Sequence, residues 1–404
     1  MDSSRRRFVT HGLCGCALCF GGSSAFARVS PSSMTPLVGA GYKPVDQDER
    51  GLWQACERLE DEVAHSNMLV GDAVLTGYVR GVMDRLLGAQ AADARIYVVR
   101  DPNFNASMAP NGMMLVHTGL LARMRNEAQF AAVLGHESGH YLRRHSVRSW
   151  RDIKAKTATM SFFALAGAAT GTWYYLASAI NSTLLLSLFQ FSREMESEAD
   201  GYGLKLMYES QYSTTAAAEV WSQIIEERKA SAAARNKKYK DRATSLVSTH
   251  PPSAERMTDL TTSAEELLSR APAEARYDDR REQFLAAVAP HRPMLIDEQV
   301  KLNDSGASLY LINTLARDGW DGTLRYYEGE TYRLRDESGD NTRAAAAYAA
   351  AVQFVDAPAQ AYRAHGYAQI KSGNTEAGRR ALTRYLELEP AAPDAAMVRF
   401  SLGQ

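Results

Sequence analysis

His136-Glu137-Ser138-Gly139-His140 and, farther along, Glu196-Ser197-Glu198-Ala199-Asp200 are the stretches on which the reading of this chain turns. At about 3.6 residues per turn, His136 and His140 stand one above the other on a helix, close enough for both imidazoles to meet one metal ion. Glu137 sits beside them, facing the position of a metal-bound water. Zinc held by two histidines needs a third ligand and an open fourth position, and a carboxylate from a second helix supplies the ligand. The open position then holds a water that zinc makes acidic enough to attack a peptide carbonyl near neutral pH.

The local sequence supports the helix that this chemistry requires. Asn126 is an N-cap residue with Gln129 three positions on, and Ala131, Ala132, Val133 and Leu134 lead into the histidines without a proline. For the third ligand, Glu194, Glu196 and Glu198 compete. Asp200 decides between them. A metal-bound histidine donates its other ring N–H to a carboxylate, so a ligand and that carboxylate four residues apart on one helical face suit the task. Glu196 with Asp200 has this spacing, which leaves Glu194 and Glu198 as solvated helix charges.

The chain has 404 residues, 45% hydrophobic, with 46 basic against 47 acidic side chains. That length supports two or three domains with sizeable cores. The charge balance argues against a nucleic-acid binder, and the Lys/Arg-rich run from Glu226 to Arg242 is interrupted by acids and alanines, as in a solvated helix end and loop. Ser4-Arg5-Arg6-Arg7-Phe8-Val9 matches a twin-arginine export pattern, and Ala25-Phe26-Ala27 offers small residues for cleavage, so residues 1–27 read as an export signal. Cys14, Cys16 and Cys19 fall within that segment. Only Cys56 remains, a small buried hydrophobe with no partner for an internal disulfide.

A helical pattern runs from about Asp46 to Gly88, followed by a strand at Arg95 to Arg100. Asn105 to Ala109 and Met113 to His117 flank Pro110-Asn111-Gly112 and read as a hairpin. An edge strand just before the metal-binding helix is where an extended peptide adds its own backbone hydrogen bonds, which makes Asn105 and Ala106 the candidates for substrate contact. Residues 157–192 carry no charge. Gly167, Gly171, Ser178, Asn181 and Ser182 divide them, and they read as apolar helices that roof the site or rest on a membrane surface, with a transmembrane hairpin as the alternative. Helical patterns resume to about Glu227, and His250-Pro251-Pro252 leads into another helix from Ala254 to Leu268. By sequence alone His250, its backbone stiffened by two prolines, reads first as a loop histidine; were its loop to fold over the cleft, its imidazole would take the fourth zinc position and block the water.

The C-terminal third is repetitive. Tyr362, Gly366, Gly373, Gly378, Leu382, Tyr385 and Pro390 fit the bulky, small and terminating positions of the roughly 34-residue tetratricopeptide frame. Gly329, Tyr332, Ala345 and Pro358 fit it too, with an insertion near Gly339 and Asp340. Helices from about Ile296 to Trp320 complete a short solenoid, with Val398 to Leu402 as its cap.

Taken together, hairpin, His-Glu-x-x-His helix, Glu-x-x-x-Asp helix, His-Pro loop and repeats resemble the gluzincin metallopeptidases related to HtpX and the CAAX prenyl endopeptidases. The order is closest to the periplasmic, repeat-bearing BepA-like branch. The resemblance implies an α+β, mostly helical fold: a zincin-like metallopeptidase domain with a small sheet at 28–272, then a tetratricopeptide α-solenoid at 273–404. It implies one Zn2+ per chain on His136, His140 and Glu196, with Glu137 as general base, Asp200 behind the ligands and His250 as a regulatory residue or fourth ligand. His145 matches a frequent family histidine and is read as structural. Gln129 stands where members often carry an acid. Arg256, His250 and Tyr202 are the candidates for steadying the oxyanion.

The function these features imply is a periplasmic zinc endopeptidase acting on misfolded or stalled envelope proteins. Its repeats would bind substrate or dock on the outer-membrane β-barrel assembly machinery, with peripheral membrane contact and no nucleic-acid partner. The rival expectation is a chaperone or scaffold whose repeats hold outer-membrane clients while the peptidase site blocks itself.

Overall fold

The computed structural model describes residue 31 and residues 34–164, 191–239 and 254–404. The export signal, most of the uncharged stretch, and His250 with both prolines lie outside the described residues. No helix among the described residues is long and apolar enough to cross a membrane.

The helical pattern expected from Asp46 to Gly88 forms two helices, α1 (Gln47–Ala64) and α2 (Ala73–Leu87). The break between them has a clear local cause. Asp72 turns its carboxylate back onto the amides of Val74 and Leu75 and caps α2, while the preceding residues pair with the sheet, Val70 donating to the Val98 carbonyl. The sheet itself has three strands: β1 (Arg95–Val99), β2 (Ala106–Met108) and β3 (Met113–His117). Their order is β1-β3-β2, with β1 parallel to β3, Arg95 opposite Met113, and β2 antiparallel to β3, Ala106 opposite Val116. The expected hairpin therefore forms, and β2 is an edge strand. Gly112 makes its turn at φ +93, and a side chain there would strike the Asp93 carbonyl.

A short helix, α3 (Thr118–Arg123), connects the sheet to α4 (Glu127–Leu142) and α5 (His145–Ala164). Asn126 caps α4 through the Gln129 amide, but the Gln129 side chain reaches past the cap to the Arg125 amide. At the same end, Glu127 is buried and accepts from Tyr78, Tyr212 and Arg85, so an acid does stand at the start of this helix. Beyond the undescribed segments come α6 (Arg193–Glu209), α7 (Ala216–Ala234) and α8 (Ala254–Ser269). Cys56 is buried among Leu52, Ala109, Met113 and Val147, and burial pushes its thiol up to about 12.

The C-terminal helices are α9 (Arg281–Val288), α10 (Arg292–Lys301), α11 (Ser305–Leu315), α12 (Gly322–Arg335), α13 (Asp340–Ala351), α14 (Ala359–Lys371), α15 (Thr375–Leu388) and α16 (Ala395–Leu402). The main core, built on α2, the sheet, α4, α6 and α7, continues into Phe284, Val288, Leu295 and Leu311. Packing of the first part therefore runs on past residue 272. Helix α12 packs back on α10 and α11 through Leu324, which meets Ile296, Val300 and Ile312, and from α12 onward the helices also pack in consecutive pairs. One gathers Tyr326, Ala344 and Tyr348, and another gathers Leu382, Tyr385 and Val398.

Candidate metal centre

Helices α4 and α6 cross closely because neither carries bulk at the crossing. A methyl group on Gly139 would lie 2.9 Å from the Ala199 carbonyl oxygen, and one on Gly203 would lie 2.9 Å from the His136 amide nitrogen. With the backbones this near, side chains beside the glycines meet at once. The Nε2 atoms of His136 and His140 are 3.0 Å apart. Glu196 presents Oε2 at 3.6 Å from the first and Oε1 at 3.6 Å from the second. All three residues are buried.

His136 Nδ1 lies 2.8 Å from Asp200 Oδ1, a pure acceptor when ionised, so the ring proton sits on Nδ1 and Nε2 carries a lone pair. Burial would raise the Asp200 carboxyl, but Arg256 and His136 outweigh it and hold it well below the usual carboxylate range. Arg256 grips Asp200 with Nε at 2.9 Å and Nη2 at 2.7 Å, and reaches Glu196 Oε2 with Nη1 at 2.9 Å. Its guanidinium lies 4.4 Å from the centre of the Trp221 ring. Buried lone pairs and a carboxylate converging on one point call for a cation. Bonds of about 2.0–2.1 Å in a tetrahedron give ligand edges of about 3.3 Å, and the observed separations bracket that figure. The residues present thus fit zinc.

His140 has a different neighbour. Its Nδ1 is 2.8 Å from His145 Nδ1, and His145 Nε2 is 2.9 Å from Glu198 Oε2. Arg143 and Arg148 also bind Glu198. Glu198 is therefore no solvated charge, as its sequence position suggested; Glu194 on the exposed face is one. Burial, only partly opposed by Glu198, pulls the His145 imidazole down to about 4 and keeps it neutral.

The centre opens onto a cavity of about 270 Å³. Glu137 and His136 lie on its wall, with Asn105 and Ala106 from the sheet edge beside them. Just before and after β2 the Asn105 carbonyl accepts from the His117 amide and the Ala109 amide donates to the Met113 carbonyl, so these residues face β3. By the alternation of an antiparallel ladder, the backbone groups of Ala106 face the outer edge. Val133, Val220, Trp221 and Ile224 supply apolar wall, and Asp101 with His117, 3.1 Å apart, a polar end. The sequence reading missed that end, since neither residue stands in a motif. Of the oxyanion candidates, Tyr202 packs in the main core rather than on the cavity wall. Arg256 is committed to Asp200 and Glu196, and His250 lies outside the described residues.

Residues 74–264 match the family model of peptidase family M48. That stretch is the M48 peptidase domain of the chain. The M48 stretch runs from α2 into α8 and contains every residue of the centre, Arg256 included. The chain is 32% identical over 216 residues to the mitochondrial metalloendopeptidase OMA1 of Schizosaccharomyces pombe, covering 53% of this chain and 60% of the relative. It is 27% identical over 201 residues to a putative beta-barrel assembly-enhancing protease of Vibrio cholerae, covering 47% and 39% respectively. A third relative, mitochondrial metalloendopeptidase OMA1 of Arabidopsis thaliana, is 30% identical over 180 residues, 44% of this chain and 32% of its own length. The chain spans less than two thirds of the length of each of these relatives.

Proposed function

We propose that this chain is a zinc-dependent endopeptidase of the bacterial cell envelope. The observation that carries the reading is the convergence of His136, His140 and Glu196 on one buried point, on a cavity that Glu137 and the outer edge of β2 share. Zinc held by these residues would supply the Lewis acidity that makes a water nucleophilic near neutral pH. Glu137 takes the proton of that water and delivers it to the leaving amine. Ala106 offers its outward N–H and C=O to an extended substrate, and Asn105 lines the same approach. Asp200 and Arg256 keep His136 and Glu196 in place, which lets the site tolerate buried charge.

The envelope setting rests on the export pattern of residues 1–27 and on likeness to proteins named for beta-barrel assembly. Its substrates would be unfolded or misassembled envelope proteins, and its docking partner the outer-membrane β-barrel assembly machinery. The helices of 273–404 would act as a tetratricopeptide array that presents substrate, and residues 157–192 would rest against the membrane surface. His250 would occupy the fourth zinc position at rest.

Metal analysis of the purified protein is expected to give about one zinc per chain, with degradation of an unfolded β-barrel protein stopped by a chelator and restored by zinc. Glu137→Gln should keep the zinc and lose cleavage. A Glu137→Gln variant that cut like the parent would sink the assignment. His250→Ala is expected to speed proteolysis, and an unchanged rate would remove the histidine from the resting site. The chaperone reading gains ground only if Glu137→Gln protects the same client from aggregation as well as the parent does and the parent never cleaves it.

A further inference from the structure

We propose that His145 and Glu198 are positioning residues that aim His140 at the metal, so that the two ligand histidines are oriented by different devices. The inference rests on the metal centre proposed above. Glu198 is held ionised between Arg143 and Arg148 and can only accept, so the proton shared with His145 belongs to His145 Nε2. The other nitrogen, His145 Nδ1, is then an acceptor and takes the Nδ1–H of His140 at 2.8 Å. His140 Nε2 is left with its lone pair facing His136 and Glu196, the tautomer a metal ligand requires.

The surroundings match a positioning role better than simple filling. His145 is fully buried and both of its ring nitrogens are used. Phe191 stacks on His140 with centroids 3.9 Å apart and lies against His145 at 5.9 Å, covering the pair. On α6, Asp200 reaches His136 directly, whereas Glu198 stands about 200° round the helix from Glu196. The imidazole of His145, at the first turn of α5, spans the gap. The order His140, His145, Glu198 thus does for one ligand what Asp200 does for the other.

The test compares zinc affinity, by competition with a chromophoric chelator, in the full-length parent, His145→Ala and His145→Asn. Loss of an outer-shell partner should weaken zinc about 10–100-fold in His145→Ala. Asn carries a carbonyl oxygen where His145 Nδ1 stands and should recover most of that loss, which a packing role alone would not predict. Equal affinity in parent and His145→Ala overturns the inference. Where His145→Ala does not fold, the parent still decides it: its ¹⁵N-imidazole spectrum with zinc bound should show His145 protonated on Nε2 and His140 on Nδ1, and a proton on His145 Nδ1 overturns the proposal. A parent that takes up no zinc overturns the metal centre itself, and this inference with it.

Discussion

Two helix crossings in this molecule are made in the same way and used differently. At α4 and α6, Gly139 rests on Ala199 and Gly203 on His136; at α14 and α15, Gly366 and Gly378 rest on each other, with a methyl on Gly378 only 2.7 Å from the Gly366 carbonyl oxygen. Small residues bring backbones together in both. What flanks them differs: His136, His140 and Glu196 at the first crossing, Leu382 and Tyr385 near the second. Close approach is a generic packing device, and the chemistry comes from the residues placed beside it. The first crossing also needs an outer layer of Asp200, Arg256, His145 and Glu198 to keep buried charges satisfied. The second has a smaller polar layer, the Tyr385 hydroxyl donating to Asp394, which Arg363 also binds.

The largest effect that would sharpen this contrast is chemical rather than structural. Glu137→Gln is expected to lower the rate of peptide cleavage by about a thousandfold, with zinc content and thermal midpoint unchanged. Next, Gly139→Val should push α6 off α4, lower zinc affinity by at least about tenfold and destabilise the fold by about 1–3 kcal/mol. If Gly139→Val bound zinc as tightly as the parent, close crossing would not be what assembles the ligands. Asp200→Asn keeps the shape but removes the charge opposite Arg256 and His136, and zinc affinity should fall about tenfold with a smaller loss of stability. Smallest at the centre is Gly378→Ala, which should cost the helical array about 1–3 kcal/mol in urea unfolding while leaving zinc affinity and cleavage of a short unstructured peptide at parent values. Loss of zinc from that variant would break the comparison.

How much of this was legible in the sequence depended on range. His136, Glu137 and His140 are near neighbours on one helix, so their spacing alone brings them together, and Glu196 with Asp200 was legible for the same reason. Glu198 was misread because its partners, His145, Arg143 and Arg148, stand on other elements, and helical periodicity carries no record of them. The parallel pairing of β1 with β3 was hidden likewise, since alternation in a strand does not say which strand lies beside it. Gly139 and Gly203 did leave a signal, small residues spaced along two helices, but only the packed structure says that these faces meet.

The continuous core described above has a practical consequence for dissecting the molecule. Phe284 packs against Phe130 of the metal-bearing helix and against Tyr78, and Arg123 on the cavity wall binds both Glu227 and Gln299 of α10. A protein cut at 272 would lose the far half of these contacts and expose the seat of Phe284. Inactivity of such a fragment would report damage to the scaffold beneath the centre, whereas a cut after α11, between Leu315 and Gly322, keeps these contacts and bares only Ile296, Val300 and Ile312, the apolar face that Leu324 of α12 covers.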